Sequence, residues 1–163
     1  FRLALSAART ERAPAAEELL ANGAHAATRA FEIGNPDFGT ERQLGAEAVL
    51  RGRGRGWRIE VSAFINRFDN YIYLQPTGAE EDELPVFQYR QADARFYGLE
   101  LEAGVKLAQL GQARIDLTGL LDYTHATILG GGGAVPRIPP LRMIGGIEAS
   151  GGAIGGRVEV EHV

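Results

Sequence analysis

The chain has 163 residues, with 17 lysines and arginines against 21 acidic residues and a formal net charge of −4. That balance argues against nucleic-acid binding, and the absence of cysteine excludes disulfides, iron–sulfur clusters, thiolate metal sites and cysteine nucleophiles. No stretch approaches the ~18 consecutive apolar residues of a membrane-crossing helix. Alternation of apolar and polar residues is instead the dominant signal, and it predicts strands over roughly 1–10, 42–52, 57–75, 86–107, 113–129, 140–149 and 155–163. The chain starts and stops inside this alternation, so both ends read as cuts. After the first strand comes a long loop, 11–41. It contains one helical pattern: Pro14 suits a helix start, AAEELLA (15–21) is helix-forming, Asn22-Gly23 ends it, and Leu19 and Leu20 are expected to pack it down. The second and third strands meet at a short turn, 53–56. In the third, Trp57, Ile59, Val61, Ala63 and Ile65 alternate with Arg58, Glu60, Ser62, Phe64 and Asn66. A second long loop is expected over 76–85. The fourth strand sets Tyr97, Leu99, Leu101, Ala103, Val105 and Leu107 against Gly98, Glu100, Glu102, Gly104 and Lys106. A short turn at 108–112 leads to the fifth, where Ala113, Ile115, Leu117, Gly119, Leu121 and Tyr123 form the apolar register. A third long loop at 130–139 and a short turn at 150–154 complete the series.

Long strands, with short turns at one end and long loops at the other, predict an all-β fold. The expected architecture is antiparallel and up-and-down, an open segment of a transmembrane β-barrel. Ten steps of about 3.3 Å, tilted by about 40°, span roughly 25 Å, the height of the apolar band of such barrels. Tyr97 and Tyr123 would stand in the outer aromatic girdle and Trp57 in the inner one. About seven strands cannot close, so residues 1–163 read as part of a larger barrel. A soluble β-sandwich is the alternative, since its strands also alternate.

Few residues point to chemistry. The run RGRGRGW (51–57) has neither the spacing nor the following helix of a phosphate loop, and reads as a tight turn with arginines in water or among head groups. Glu80, Glu81, Asp82 and Glu83 form an acidic loop run that could draw cations toward a ligand-facing mouth. Of the histidines, His25 shares the 11–41 loop with Glu17, Glu18, Glu32 and Asp37, while His125 and His162 fall on strand positions expected to face outward. Glu100 and Glu102 share a strand face as glycosidase carboxylates do, but inward charges are what a water-filled or plugged barrel needs. No serine stands in a nucleophile elbow, so no enzyme is expected.

Several blocks carry a family resemblance: SAARTERAPAAEELLANGAHAATRAFEIGNP (6–36), ERQLGAE (41–47), FINRFDNYIYL (64–74), YRQADARFYGLELE (89–102) and PRIPPLR (136–142). Together they resemble the C-terminal half of TonB-dependent outer-membrane receptors, closest to the zinc-uptake branch. The resemblance implies a plugged barrel of about 22 strands in the outer membrane of a Gram-negative bacterium. The lipid bilayer and the TonB complex, reached through a plug outside this chain, would be its partners. A scarce metal ion or metal chelate, most specifically zinc, would be its cargo, with no resident cofactor. That branch carries G-x-H-x-A-T-x-x-F-E, matched here by Gly23 to Glu32, which makes His25 the expected metal ligand, with Glu32 beside it. Glu47, Glu60, Glu100, Glu102, Asp116 and Asp122 would face the plug. A ferric-siderophore or haem cargo is the alternative within the family, for which Arg12, Arg29, Phe31 and Phe38 in the loops would suit an organic chelate.

Overall fold

A computed structural model describes residues 1–151 and 154–163. Its long strands are β1 (Arg2–Arg12), β4 (Glu41–Gly54), β5 (Trp57–Glu81), β6 (Leu84–Leu110), β7 (Ala113–Ile128), β9 (Arg142–Gly151) and β10 (Ile154–His162). They pair antiparallel in the order β1-β4-β5-β6-β7-β9-β10, so the all-β, up-and-down expectation holds. One sheet contains every strand among the described residues, which rules out the β-sandwich alternative.

The alternation has a direct structural consequence. Leu3 pairs with Leu50, Leu50 with Val61, Val61 with Leu101, Leu101 with Leu121, and Leu121 with Met143. Directly paired residues point to the same side of a sheet. A continuous apolar face therefore runs across the strands, and much of it is bare: Leu5 is 74% exposed and Val158 73%. The opposite face carries the charges. Water does not favour so large an exposed apolar surface, whereas a lipid bilayer does.

Three elements depart from expectation. The region 76–85 is not a long loop. β5 runs on to Glu81, β6 begins at Leu84, and only Asp82 and Glu83 turn, with φ of 52° and 62°. Pro76 and Gly78 read as breakers in sequence, but a register shift between Pro76 and Glu80 absorbs them as a bulge, with Gly78 at φ 80°. Second, β5 has an extra residue between Phe68 and Tyr71, where Asn70 takes φ 60°. Phe68 pairs with Ala94 and Tyr71 with Ala92, so above the bulge odd residues of β5 point where even ones did below it. Third, the long loops contain short strands: β2 (Asn22–His25), β3 (Ala30–Ile33) and β8 (Gly133–Ala134). Of the expected turn over 150–154, Ser150 and Gly151 belong to β9 and Ile154 to β10, and residues 152 and 153 lie outside the described ones.

α1 (Ala16–Leu20) forms where the helical pattern predicts it. The Glu18 carboxylate accepts the Ala15 backbone N–H at 2.7 Å, satisfying one free donor at the helix start. Only part of the expected apolar anchoring is seen: Leu19 is half-buried, while Leu20 is 73% exposed. The helix is held instead by charge. Arg12 donates to Glu18 at 2.8 Å and, as a two-pronged contact, to Glu41 at 3.2 and 3.1 Å. Glu41 is buried and also accepts the Ile72 N–H at 2.9 Å, which ties β1, α1, β4 and β5 together. These bonds, first to Glu18 and then to Glu41, hold the Arg12 guanidinium pKa well above its ordinary value.

A buried cluster lies above the apolar band. Ala94, Ala126, Ile128 and Val135 are buried against Phe68, Tyr71, Tyr73, Phe96 and Ile138. Phe68, Tyr71 and Phe96 meet edge to face at 5.1–5.2 Å between ring centroids. Backbone pairing of β8 with β7 brings Val135 of the third long loop onto this cluster.

Candidate ligand site

The chain after β1 passes two strands and returns as the β2–β3 hairpin, and β3 then pairs parallel with β6: Phe31 with Val86, Glu32 with Phe87, Ile33 with Gln88. β7 reaches only to Ala94 on that edge of β6, leaving residues above it free to accept the hairpin. The parallel ladder is what places Glu32 beside Tyr89.

Glu32 is only 4% exposed, and both of its carboxylate oxygens are engaged. Thr28 Oγ1 donates to Oε1 at 2.7 Å, and the Tyr89 hydroxyl donates to Oε2 at 3.2 Å. His25 Nδ1 lies 3.5 Å from Glu32 Oε1 and 3.2 Å from Thr28 Oγ1, with its side chain 57% exposed. A buried carboxylate is thus fixed by two hydroxyls, with an accessible imidazole at its edge. Two ligands on one tetrahedral zinc, each about 2.0–2.2 Å away, stand roughly 3.3 Å apart, so this nitrogen and oxygen are already close to that spacing. The pair lines an open cavity of about 450 Å³ together with Glu17, Leu74, Tyr89 and Arg137. No group of three or more His, Asp or Glu side chains that could hold a metal occurs among the described residues, so the pair by itself falls short of the three or four donors a zinc site requires.

Burial raises the Tyr89 hydroxyl pKa, and the negative charge and hydrogen bond of Glu32 raise it further, to about 12. The phenol therefore remains a donor to Glu32 at any physiological pH. Because the folded value lies above the ordinary 10.0, Tyr89 contributes its stabilisation fully below pH ~10 and loses it as pH rises toward ~12. Burial raises the Tyr71 hydroxyl pKa as well, so absorbance titration of tyrosinate should show late-ionising tyrosines, of which Tyr89→Phe removes one. A Tyr89→Phe profile identical to that of the parent would show that the contact to Glu32 does not form.

The other expected site residues lie elsewhere. Glu47, Glu60, Glu100, Glu102, Asp116 and Asp122 share the charged sheet face: Glu60 pairs with Glu102, Glu100 with Ser62 and Asp122. Most are countered by arginine on the same face, as in Arg51–Glu60 at 2.7 Å, Arg58–Glu102 at 3.2 Å and Arg114–Asp116 at 2.7 Å. Glu47 accepts from Ser62 at 2.9 Å. Glu80 and Glu81 stand on β5 and Asp82 and Glu83 in its turn, all exposed and none lining the His25 cavity. His125 lies beside Tyr97, 5.2 Å between rings, and His162 pairs with Met143. Tyr89 and Arg137 were not among the expected site residues. Thr28 stood in the quoted motif without an assigned role; the motif's spacing is what places it next to Glu32.

The fold is similar to that of the solved structure of copper transporter OprC, with a TM-score of 0.71 and 22% sequence identity. The likeness covers 90% of this chain and 21% of that one, so the chain spans about a fifth of the transporter's length. Residues 1–152 match the family described as TonB dependent receptor-like, beta-barrel, and the chain belongs to that family.

Proposed function

We propose that the chain is a stretch of wall and ligand mouth from an outer-membrane TonB-dependent receptor that imports a metal ion, and that the ion is zinc. The receptor is an importer and not an enzyme. Its apolar face meets the lipid bilayer of a Gram-negative outer membrane, its six inward carboxylates face a plug, and the plug is coupled to the TonB complex. The observation that carries metal import is the contact between His25 and the buried Glu32. Imidazole and carboxylate together suit zinc. Copper in its reduced state prefers sulfur, and this chain has no cysteine and a single methionine, Met143, which lies on the apolar face away from the pair.

In the full-length receptor, His25→Ala should weaken zinc binding at least about tenfold in calorimetric titration, as the loss of one ligand of a small set requires. Unchanged affinity would overturn the ligand assignment.

A second reading is supported by Arg137. A cation in the wall of the same cavity opposes a bare metal ion but favours an anionic metal chelate, such as a ferric siderophore, or haem. Growth rescue by a panel of free metals and chelates separates the two cargoes.

A further inference from the structure

The cavity beside His25 and Glu32 leaves a bound zinc ion short in two respects, and one kind of ligand supplies both. The first is coordination. His25 Nδ1 and Glu32 Oε1 stand 3.5 Å apart, and the other carboxylate of the cavity, Glu17, does not join them in a metal-binding group of three. A tetrahedral ion held by the pair has two positions left to fill. The second is charge. Arg137 lies in the cavity wall and forms no ion pair among the described residues, because the Glu32 oxygens are taken by Thr28 and Tyr89 and Glu17 does not reach it. His25 is neutral when it binds a metal. Two carboxylates, one guanidinium and a dication then leave one positive charge in the cavity.

Arg137 is held there against a local preference. Pro136 and Arg137 form a turn, and Arg137 takes φ 63°. Glycine fills such a position after proline at least cost. Val135 on one side is buried, and Ile138 on the other packs on the same apolar cluster, so the turn is fixed from both flanks. Side chains kept at strained backbone positions by anchored neighbours concentrate at ligand clamps.

We infer that the cavity takes zinc together with a small α-amino carboxylate, and that Arg137 holds the carboxylate of this co-ligand. One carboxylate oxygen and the neighbouring amine close a chelate ring on the ion and fill its two open positions; zinc accepts nitrogen and oxygen donors alike. The amine binds as the free base, its proton passing to solvent. The second carboxylate oxygen accepts from the Arg137 guanidinium in a charge-assisted hydrogen bond. The single negative charge cancels the positive charge left in the cavity, and about 450 Å³ is room enough for an ion with a ligand of this size. The inference rests on the metal-import reading and specifies its cargo. That cargo is neither the bare ion nor a chelate saturated by its own donors, but a mixed complex that the chain completes.

The test titrates the full-length receptor in detergent with zinc at matched free-zinc activity. The arms are zinc alone, zinc with glycine, and zinc with glycinamide, which chelates through the same amine but carries no carboxylate. Glycine should tighten zinc binding by the parent about tenfold or more, and glycinamide should not. Arg137→Gly suits the positive φ, so it should lose the gain while binding zinc alone at least as tightly as the parent. Arg137→Lys should keep part of the gain. No gain in the parent, an equal gain from glycinamide, or a gain unchanged in Arg137→Gly would overturn the co-ligand. So would a loss in Arg137→Gly that is the same with and without glycine, which is what a purely structural role requires. Zinc binding that His25→Ala removes, without any gain from glycine in the parent, sinks the co-ligand alone. No zinc binding in any arm sinks the zinc reading with it.

Discussion

Arginine at position 101 will destabilise the full-length barrel by about 2–4 kcal/mol, while arginine at position 100 will cost about 1 kcal/mol or less. The two positions are adjacent in sequence and opposite in environment. Leu101 pairs with Val61 and Leu121 in the middle of the apolar face. A guanidinium there must be drawn out of hydrocarbon or carry water in with it. Glu100 pairs with Ser62 and Asp122 on the charged face, where an arginine gains an acidic neighbour. Reversible unfolding from lipid vesicles in urea measures both. Equal losses would mean that the apolar face does not contact lipid.

A methyl group at Gly98 will have the next largest effect. A Cβ there would meet the Phe64 ring at 2.5 and 2.6 Å and the Tyr123 backbone oxygen at 2.5 Å. The phenyl ring lies directly over the glycine across the strand pair, because Phe64 and Gly98 are direct partners. Gly98→Ala should therefore cost about 1–3 kcal/mol through overpacking. Phe64→Ala made with it should recover part of that loss, since the ring can be removed but the carbonyl of β7 cannot. Non-additivity in the double-mutant cycle reads out the ring contact. Strictly additive effects would show that the ring does not rest on Gly98.

How much of this was legible in the sequence depends on the range over which each feature is set. The apolar face was legible because it is a local period of two: Leu99, Leu101 and Ala103 state it within five residues, and pairing only has to align neighbouring strands. The helix was legible from Pro14 and Asn22-Gly23 for the same reason. The tip of β5 and β6 was not. Pro76, Gly78 and the acidic run resemble a loop, and the turn uses Asp82 and Glu83 at positive φ where glycine or asparagine would have announced it. The bulge beside Asn70 was hidden too, since one extra residue leaves composition unchanged while reversing which side chains share a face. At the candidate site, His25, Thr28 and Glu32 fall within eight residues of one motif, so their meeting could be anticipated from the family pattern. Tyr89 could not, because its contact with Glu32 depends on a parallel pairing between segments separated by two other strands, β4 and β5.

That parallel pairing also bears on how the receptor can be rebuilt. External loops of barrels are ordinarily treated as interchangeable parts, each replaceable between its two strands. The β2–β3 hairpin belongs by chain connection to β1 and β4, but its backbone partner is β6, and Gln91 of β6 also donates to the Gly39 carbonyl at 2.7 Å. Residues 13–40 and 84–92 therefore behave as one transplantable unit. A graft of the first segment without the second would leave the hairpin with no edge to dock on, and the acidic residue at its centre with no phenol to hold it.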